Sequence, residues 1–186
     1  MAAPGRPRSE QAHRAVLRAV DDLLVEQGYA AMSMKSIAER AGVGRQTLYR
    51  WWSHKAEILM EAAVHDAGEE LIAPPRADAT QELIAFAELL LRFLTVSPAG
   101  LSYRALLGEA QYDPRVAALV ADQDPVREAA AVVVDRIRAG LDHLPGTRIA
   151  VAQLVGPVMY AAVTGSRAQA RTLIGALVPT LLRGWA

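Results

Sequence analysis

The sequence predicts an all-α protein of about nine helices, because two kinds of signal recur along its 186 residues. Apolar side chains repeat at three- and four-residue spacing, which places them on one face of a helix. Serine or aspartate precedes several of these apolar runs, and glycine or proline follows them, as at helix starts and stops. Because 52% of the residues are apolar, the chain can also bury a substantial core.

The first three predicted helices form a compact N-terminal group. The first covers residues 9–27 and ends at Gly28, since glycine readily adopts the left-handed conformation that stops a helix. A second helix follows Ser33, whose hydroxyl can accept a hydrogen bond from an early helical N–H. Gly42 and Gly44 then bracket a short turn before a third helix. Two short helices joined by a glycine turn predict a helix-turn-helix.

The third helix is the most informative about function. With about seven residues it is too short to be stable in water on its own, so packing must hold it, and Leu48 can face the second helix. Its outer side presents residue types that contact base edges and phosphates of a DNA duplex. The predicted DNA contacts are Ser33, Lys35, Arg45, Gln46, Thr47, Tyr49, Arg50, His54 and Lys55. A solvated helical hairpin in an all-α protein is the alternative interpretation.

Charge is distributed unevenly along a chain whose formal net charge is zero. Residues 1–55 contain nine basic and five acidic residues, a net charge of +4, which leaves −4 on the remainder. A basic end on an otherwise acidic protein is typical of a DNA-binding domain. Residues 1–8 are predicted to form a flexible basic arm, which either enters the minor groove or is a disordered tail.

The helix-turn-helix segment resembles the N-terminal domain of the TetR/AcrR family of transcriptional regulators. The resemblance covers roughly residues 11–59 and is carried by Gly28-Tyr29, Ile37-Ala38, Ala41 to Gly44, Thr47 to Arg50 and Trp52 to Lys55. Ser53-His54-Lys55 stands where the family usually has Pro-Ser-Lys, which moves the N-cap of the next helix to Ser53 or His54. Gln46 stands where the family commonly has glycine or proline, and it adds a side chain able to read a base.

The resemblance implies a homodimer that binds a pseudo-palindromic operator in double-stranded DNA. It also implies a helical body that holds a small apolar or aromatic effector. The predicted division is a DNA-binding domain at residues 1–55 and an effector-binding and dimerisation domain at residues 56–186. Further helices are predicted over residues 53–72, 78–97, 101–112, 113–120, 124–139, 148–163 and 166–183.

Two further sets of residues are predicted in the body. The last two helices are apolar enough to form a four-helix bundle with a second copy, although they can also simply close the monomer core. The predicted dimerisation residues are Leu173, Ile174, Leu177, Val178, Leu181 and Leu182. The predicted ligand-binding residues, each of which can equally be ordinary core, are Leu90, Phe93, Tyr103, Leu107, Gln111 and Met159.

Several functions are not supported by the sequence. The chain has no cysteine, its four histidines are scattered, and it lacks a nucleophile elbow or a complete phosphate-binding loop, so we expect no enzyme activity, metal or cofactor. No signal peptide or membrane span is evident, which predicts a soluble, cytoplasmic protein with no membrane partner. The predicted function is a sequence-specific transcriptional repressor that an apolar small molecule releases from DNA. The alternative is a DNA-binding architectural protein or co-regulator without an effector.

Overall fold

The computed structural model describes residues 6–72 and 74–186. Within these residues all regular structure is helical, which confirms the predicted all-α fold. The α-helices are α1 (Arg6–Ala31), α2 (Met34–Ala41), α3 (Arg45–Trp51), α4 (Lys55–Glu70), α5 (Ala79–Val96), α6 (Pro98–Glu109), α7 (Pro114–Asp122), α8 (Pro125–Ile137), α9 (Thr147–Thr164) and α10 (Arg167–Trp185). One turn of 3₁₀ helix, Arg138–Gly140, follows α8.

The described chain forms two compact units. The head unit consists of the residues up to His65 together with Leu101–Gln123, and the body unit consists of Asp66–Gly100 and Asp124–Ala186. The predicted division at residue 55 therefore differs from the structural one, because α7 and most of α6 belong to the head unit. The sequence does not reveal this, since the pairing joins segments far apart in the chain.

The N-terminal helix starts earlier than predicted. Helix α1 begins at Arg6, so residues 6–8 of the predicted flexible arm are helical, and residues 1–5 of that arm lie outside the described part of the chain. Pro7 is compatible with this because N–H groups in the first helical turn have no intrahelical partner. Gly28, with φ 77° and ψ 167°, interrupts the helical geometry of α1 where the sequence predicts a stop.

The core of the head unit joins α1 to α4 with parts of α6 and α7. Fully buried aliphatic side chains from five helices meet in it: Val16, Val20, Ile37, Leu48, Ile58, Leu59 and Leu106. Burial of each such side chain stabilises the fold by about 1.5–3 kcal/mol. Since Leu48 is part of this core, packing fixes the orientation of the short helix α3.

The core of the body unit is built around α5. This helix packs against α8, α9 and α10, and its apolar side chains Leu83, Phe86, Leu90, Phe93 and Leu94 are completely buried. A helix that is apolar on nearly every side is expected to be enclosed in this way. After α5 the chain turns sharply, and α6 begins at Pro98, three residues before the predicted start.

No single helix in the described parts of the chain has both the length and the apolar character needed to cross a membrane. Helices α5 and α6 meet those criteria only when counted together, and they are bent by 79° at their junction.

Candidate nucleic-acid interface

Local hydrogen bonds shape the turn between α2 and α3. The Ser33 hydroxyl accepts from the backbone N–H of Ser36 at 3.1 Å, and the Ser36 hydroxyl accepts from that of Ser33 at 3.0 Å, so the pair forms a capping box. Gly42 ends α2 in the left-handed conformation, with φ 66° and ψ 29°. An L-residue with a side chain rarely adopts this conformation, so glycine is required at the corner.

Helix α3 presents the predicted residues outward. Leu48 is completely buried, whereas Arg45, Gln46, Tyr49 and Arg50 are exposed, and 56% of the Tyr49 surface is accessible. The structure thus places four of the predicted DNA contacts on one exposed face. Of the remaining members of that set, Ser33 and Lys35 are exposed, and Thr47 is half-buried.

A hydrogen-bonded aromatic cluster holds the C-terminal end of α3. The Glu61 carboxylate accepts from the Trp52 indole N–H at 2.7 Å and lies 2.8 Å from His13 Nε2. The His13 ring centroid lies 4.8 Å from that of Trp52 and 5.7 Å from that of Trp51. The cluster links α1, α3 and α4, and it was not predicted because its members are up to 48 positions apart in the sequence.

The exposed charges around α3 are mostly basic. Glu39 Oε1 lies 3.9 Å from Lys35 Nζ and 3.7 Å from Arg45 Nη2, and all three side chains are about 60% exposed. Pairs so exposed contribute little to stability, so both cations can exchange this carboxylate for a phosphate. Arg50 forms no ion pair within the described chain, and its guanidinium carbon lies 5.9 Å from the Trp51 ring centroid.

Arg40, at the end of α2, is paired more closely than Lys35 and Arg45. Its guanidinium makes two hydrogen bonds to the Glu26 carboxylate, at 2.9 and 2.5 Å. This contact lowers the pKa of Glu26, with the hydrogen bond from Arg40 as the largest cause. Arg40 therefore ties α2 to α1 and is less available to DNA than the cations of α3.

The start of α4 shows how the chain accommodates its departure from Pro-Ser-Lys. His54 Nδ1 accepts from the Ala56 N–H at 3.2 Å, and Ser53 donates through both its N–H and its hydroxyl to Glu57. Burial alone raises the pKa of Glu57, but the hydrogen bonds from Ser53 outweigh it and the net shift is downward. His54 is half-buried and serves as the cap, one of the two positions predicted.

The structure shows that Lys55, which the sequence predicts as a phosphate contact, is hydrogen-bonded within the chain. Its ammonium donates to the carbonyl oxygens of Tyr29 at 2.7 Å and Met32 at 2.9 Å, and lies 3.9 Å from the Tyr29 ring centroid. Burial lowers the pKa of Lys55, and the charge of Glu109 opposes that shift. Lys55 therefore fastens α4 to the corner between α1 and α2.

The predicted ligand-binding residues do not line the two clefts described here. Leu90 and Phe93 are completely buried, Tyr103 is 3% exposed, and Gln111 is exposed. One cleft, of about 510 Å³, lies in the head unit between the start of α4 and α7. The other, of about 350 Å³, lies in the body unit beside α5 and the start of α10. Among the described residues, no cluster of three His, Asp or Glu side chains is arranged to hold a metal ion.

The structure places part of the predicted dimerisation stripe on α10 in the interior of the body unit. Ile174 and Val178 are buried inside their own body unit, 3% and 0% exposed, so a second copy cannot contact them. The other members of the stripe, Leu173, Leu177, Leu181 and Leu182, are half-buried. The sequence does not distinguish the side of an apolar helix that packs within the chain from a side that remains exposed.

The fold and the exposed face of α3 define a helix-turn-helix protein with an additional helical unit. Residues 16–62 match the family model described as bacterial regulatory proteins, tetR family. The chain is 41% identical over 113 residues to YdeS of Bacillus subtilis, an uncharacterised HTH-type transcriptional regulator. The matched region covers 61% of this chain and 57% of YdeS. The chain thus spans little more than half the length of this curated relative.

Two solved structures share the fold across nearly the whole chain. The TetR family transcription regulator SCO0332 is 26% identical, with a TM-score of 0.77 over 95% of this chain and 99% of that one. A transcriptional regulator from Saccharomonospora viridis, solved in complex with choline, is 20% identical, with a TM-score of 0.66 over 91% of this chain and 96% of that one. Residues 16–62 therefore match the tetR family model, and the chain as a whole is similar to TetR family transcriptional regulators. The relatives and solved structures that the chain resembles are described as transcriptional regulators.

Proposed function

We propose that the chain is a homodimeric transcriptional repressor that reads its operator with α3 and is released from DNA by a small organic molecule. The observation that carries the proposal is the exposed set of Arg45, Gln46, Tyr49 and Arg50 above the fully buried Leu48. Arginine and glutamine match the donor and acceptor patterns of base edges in the major groove. Tyrosine and the second arginine suit phosphate oxygens on either side.

The proposed division of roles within α3 can be tested on DNA. We expect Gln46→Ala to reduce discrimination at one operator base pair by about 1–3 kcal/mol while retaining binding to random duplexes. We expect Arg50→Ala to weaken operator and random DNA alike and to reduce the salt slope of binding by about one. The operator is first selected from random duplexes, and affinities are then measured by fluorescence anisotropy at several salt concentrations.

A matched control removes the same charge from the body unit. Arg148 is an exposed arginine on α9, and Arg148→Ala is expected to leave both affinities within about twofold of the wild type, because it lies outside the proposed contact set. If Gln46→Ala and Arg50→Ala weaken operator and random DNA equally, α3 does not read the sequence. If neither variant differs from Arg148→Ala, the proposed interface is wrong.

The proposed dimer uses the exposed side of α9. Ile149, Tyr160 and Val163 are 57%, 69% and 58% exposed, and their spacing places them on one face with Gly156. A side chain added at Gly156 meets no atom of the chain within 4 Å, so this position is open to close approach by a second helix. Two-fold pairing of this face gives one head for each half of a pseudo-palindromic operator.

The proposed effector is a small organic molecule, and the choline bound to the Saccharomonospora viridis protein supports a ligand-responsive body in a protein of this fold. Binding of a ligand weakens operator binding if the ligand prefers a dimer arrangement that the operator does not. The coupling free energy between ligand binding and operator binding is then about 1–3 kcal/mol. A thermal-shift screen of apolar and aromatic compounds, followed by operator release, tests this step. If no compound stabilises the protein while operator binding is intact, the architectural or co-regulator role without an effector is favoured.

A further inference from the structure

We propose that the body unit contains a binding site for a phosphate monoester with an apolar group, in the cleft beside α5 and the start of α10. Four arginines line this cleft of about 350 Å³: Arg76, Arg92, Arg167 and Arg171. They come from three segments, namely the stretch before α5, α5 itself and the first turns of α10. None of them belongs to the face of α3 or to the ligand-binding residues predicted from the sequence.

The charge of the cleft is not balanced by the chain itself. Within the described residues, none of these four guanidinium groups forms an ion pair with an acidic side chain, although isolated surface arginines often find one. Glu88 is the one carboxylate in the lining, and in the part of the chain that the structure describes it makes no ion pair with Arg92 one turn later. The lining therefore carries three more positive than negative charges, which favours binding of an anion.

The position of two of the arginines reinforces this preference. Arg167 and Arg171 occupy the first turns of α10, where the helix dipole already places partial positive charge, and no acidic residue is present in the first turn. Basic side chains are therefore unfavourable there in the absence of an anion. A ligand that neutralises them relieves this repulsion in addition to making its own hydrogen bonds.

The lining residues other than the arginines indicate the chemistry of the rest of the ligand. Ile72, Ala85 and Leu89 form the apolar part of the lining, and Ile72 is 67% exposed. A carboxylate needs only one arginine for a bidentate contact, whereas a phosphate monoester carries close to two charges on three oxygens and can engage several. Glu88 disfavours a second anionic group, so the chemistry fits one phosphate joined to an apolar body.

Isothermal titration calorimetry of the full chain with phenyl phosphate tests the site. We expect one phenyl phosphate to bind per chain, and phenol and inorganic phosphate each to bind at least about tenfold more weakly, because each lacks half of the recognised chemistry. The double variant Arg92→Ala/Arg171→Ala is expected to weaken phenyl phosphate binding by about tenfold or more. Leu89→Glu, which adds a carboxylate to the apolar part of the lining while leaving every arginine in place, is expected to have a similar effect.

The matched control is Arg148→Ala/Arg183→Ala, which removes the same charge from exposed positions of α9 and α10 outside the lining. Affinity within about twofold of the wild type is expected for this control, since only charges in the cleft contact the ligand. Equal losses in the two double variants, absent binding, or several phenyl phosphates per chain would overturn the proposal. Displacement of phenyl phosphate by random duplex DNA or by anionic vesicles would instead assign the arginines to a nucleic acid or a membrane.

The proposed phosphate site can be tested independently of the proposed repressor function. Binding of phenyl phosphate requires no DNA, and Arg92→Ala/Arg171→Ala is expected to keep the operator affinity of the wild type when no ligand is present. A failure of Gln46→Ala to alter operator preference would therefore leave the cleft result unaffected.

Discussion

The sequence places Lys55 among the DNA contacts, whereas the structure places its ammonium on two backbone carbonyls of the corner between α1 and α2. Its partners Tyr29 and Met32 are 26 and 23 positions away, and a contact over such distances is not encoded in local spacing. The contact between His13 and Glu61 could not be predicted for the same reason, because the two residues are 48 positions apart. By contrast, the exposure of Gln46 and Tyr49 was predictable, because it follows from the burial of Leu48 in the same short helix.

Tyr29 gives a prediction for the pH dependence of stability. Its hydroxyl is buried with no hydrogen-bond partner among the described residues, and burial, reinforced by Glu109 and Asp113, raises its pKa from 10.0 to about 12. Between these two values the phenol ionises in the unfolded chain and stays protonated in the folded one. The wild type therefore loses stability as the pH rises from 10 to about 12, and Tyr29→Phe is expected to remove this part of the loss.

Urea denaturation at pH 7, 9.5 and 11.5 measures the effect, since pH 7 and 9.5 lie below both pKa values of Tyr29 and pH 11.5 lies between them. At pH 7 we expect Tyr29→Phe to be as stable as the wild type or more stable by up to about 1 kcal/mol, because an unpaired hydroxyl is removed. Tyr112→Phe, at an 87% exposed phenol, is the control. An alkaline loss as steep in Tyr29→Phe as in the wild type would contradict the argument.

Among the helices, those whose ends are fixed by neighbouring residues were predicted best. Ser33, Asp78, Asp113, Asp124 and Ser166 are N-caps whose side chains accept from nearby backbone N–H groups, as their sequence context indicates. The start of α6 was missed because tertiary packing decides it. Pro98 to Gly100 were predicted to interrupt the helices, but these residues form the first turn of α6. In that turn Gly100 packs against the backbone of α5.

Gly100 allows that packing to be tested. A Cβ at this position would lie 1.8 Å from the backbone carbonyl oxygen of Phe93, and a backbone atom cannot move away as a flexible side chain can. We expect Gly100→Ala to lower the free energy of unfolding by about 2–3 kcal/mol, as overpacking commonly does.

The control for this prediction lies in the same helix. A Cβ at Gly108 meets no atom within 4 Å, so Gly108→Ala is expected to be neutral or to stabilise by up to about 1 kcal/mol, since glycine is a poor helix former. Urea unfolding followed by circular dichroism compares the two variants with the wild type. Equal stability of Gly100→Ala and Gly108→Ala would show that the close approach is not required by the fold.

The proposed assembly uses an exposed face of α9, whereas the dimerisation residues predicted from the sequence lie on α10. The predicted stripe on α10 includes Ile174 and Val178, which complete the body core, and the apolar residues left exposed are on α9. Apolar periodicity identifies a buried side of a helix but does not say whether the same chain or a second copy buries it. For that reason the fold was predictable from sequence and the location of the interface was not.

The assembly is tested with a charge on the exposed side of α9. Tyr160→Glu is expected to weaken dimerisation by at least about 100-fold, because a two-fold axis buries the new carboxylate twice without a partner. Val132→Glu, at a 52% exposed position of α8, is the control and is expected to remain dimeric. Sedimentation velocity over a range of protein concentrations distinguishes monomer from dimer. A dimeric Tyr160→Glu variant with wild-type affinity would place the interface elsewhere.

The carboxylate of Glu39, shared by Lys35 and Arg45, has a consequence for how the DNA affinity of this protein can evolve if α3 binds DNA as proposed. It is exposed and removable without loss of core packing, so replacing it adds positive charge for every DNA sequence equally and tightens binding without altering the preferred bases. We therefore expect a library randomised at codon 39 and enriched for tight binding to return neutral or basic residues at the expense of selectivity. Recovery of glutamate under such enrichment would mean that the acidic group instead orients Arg45 for a particular base.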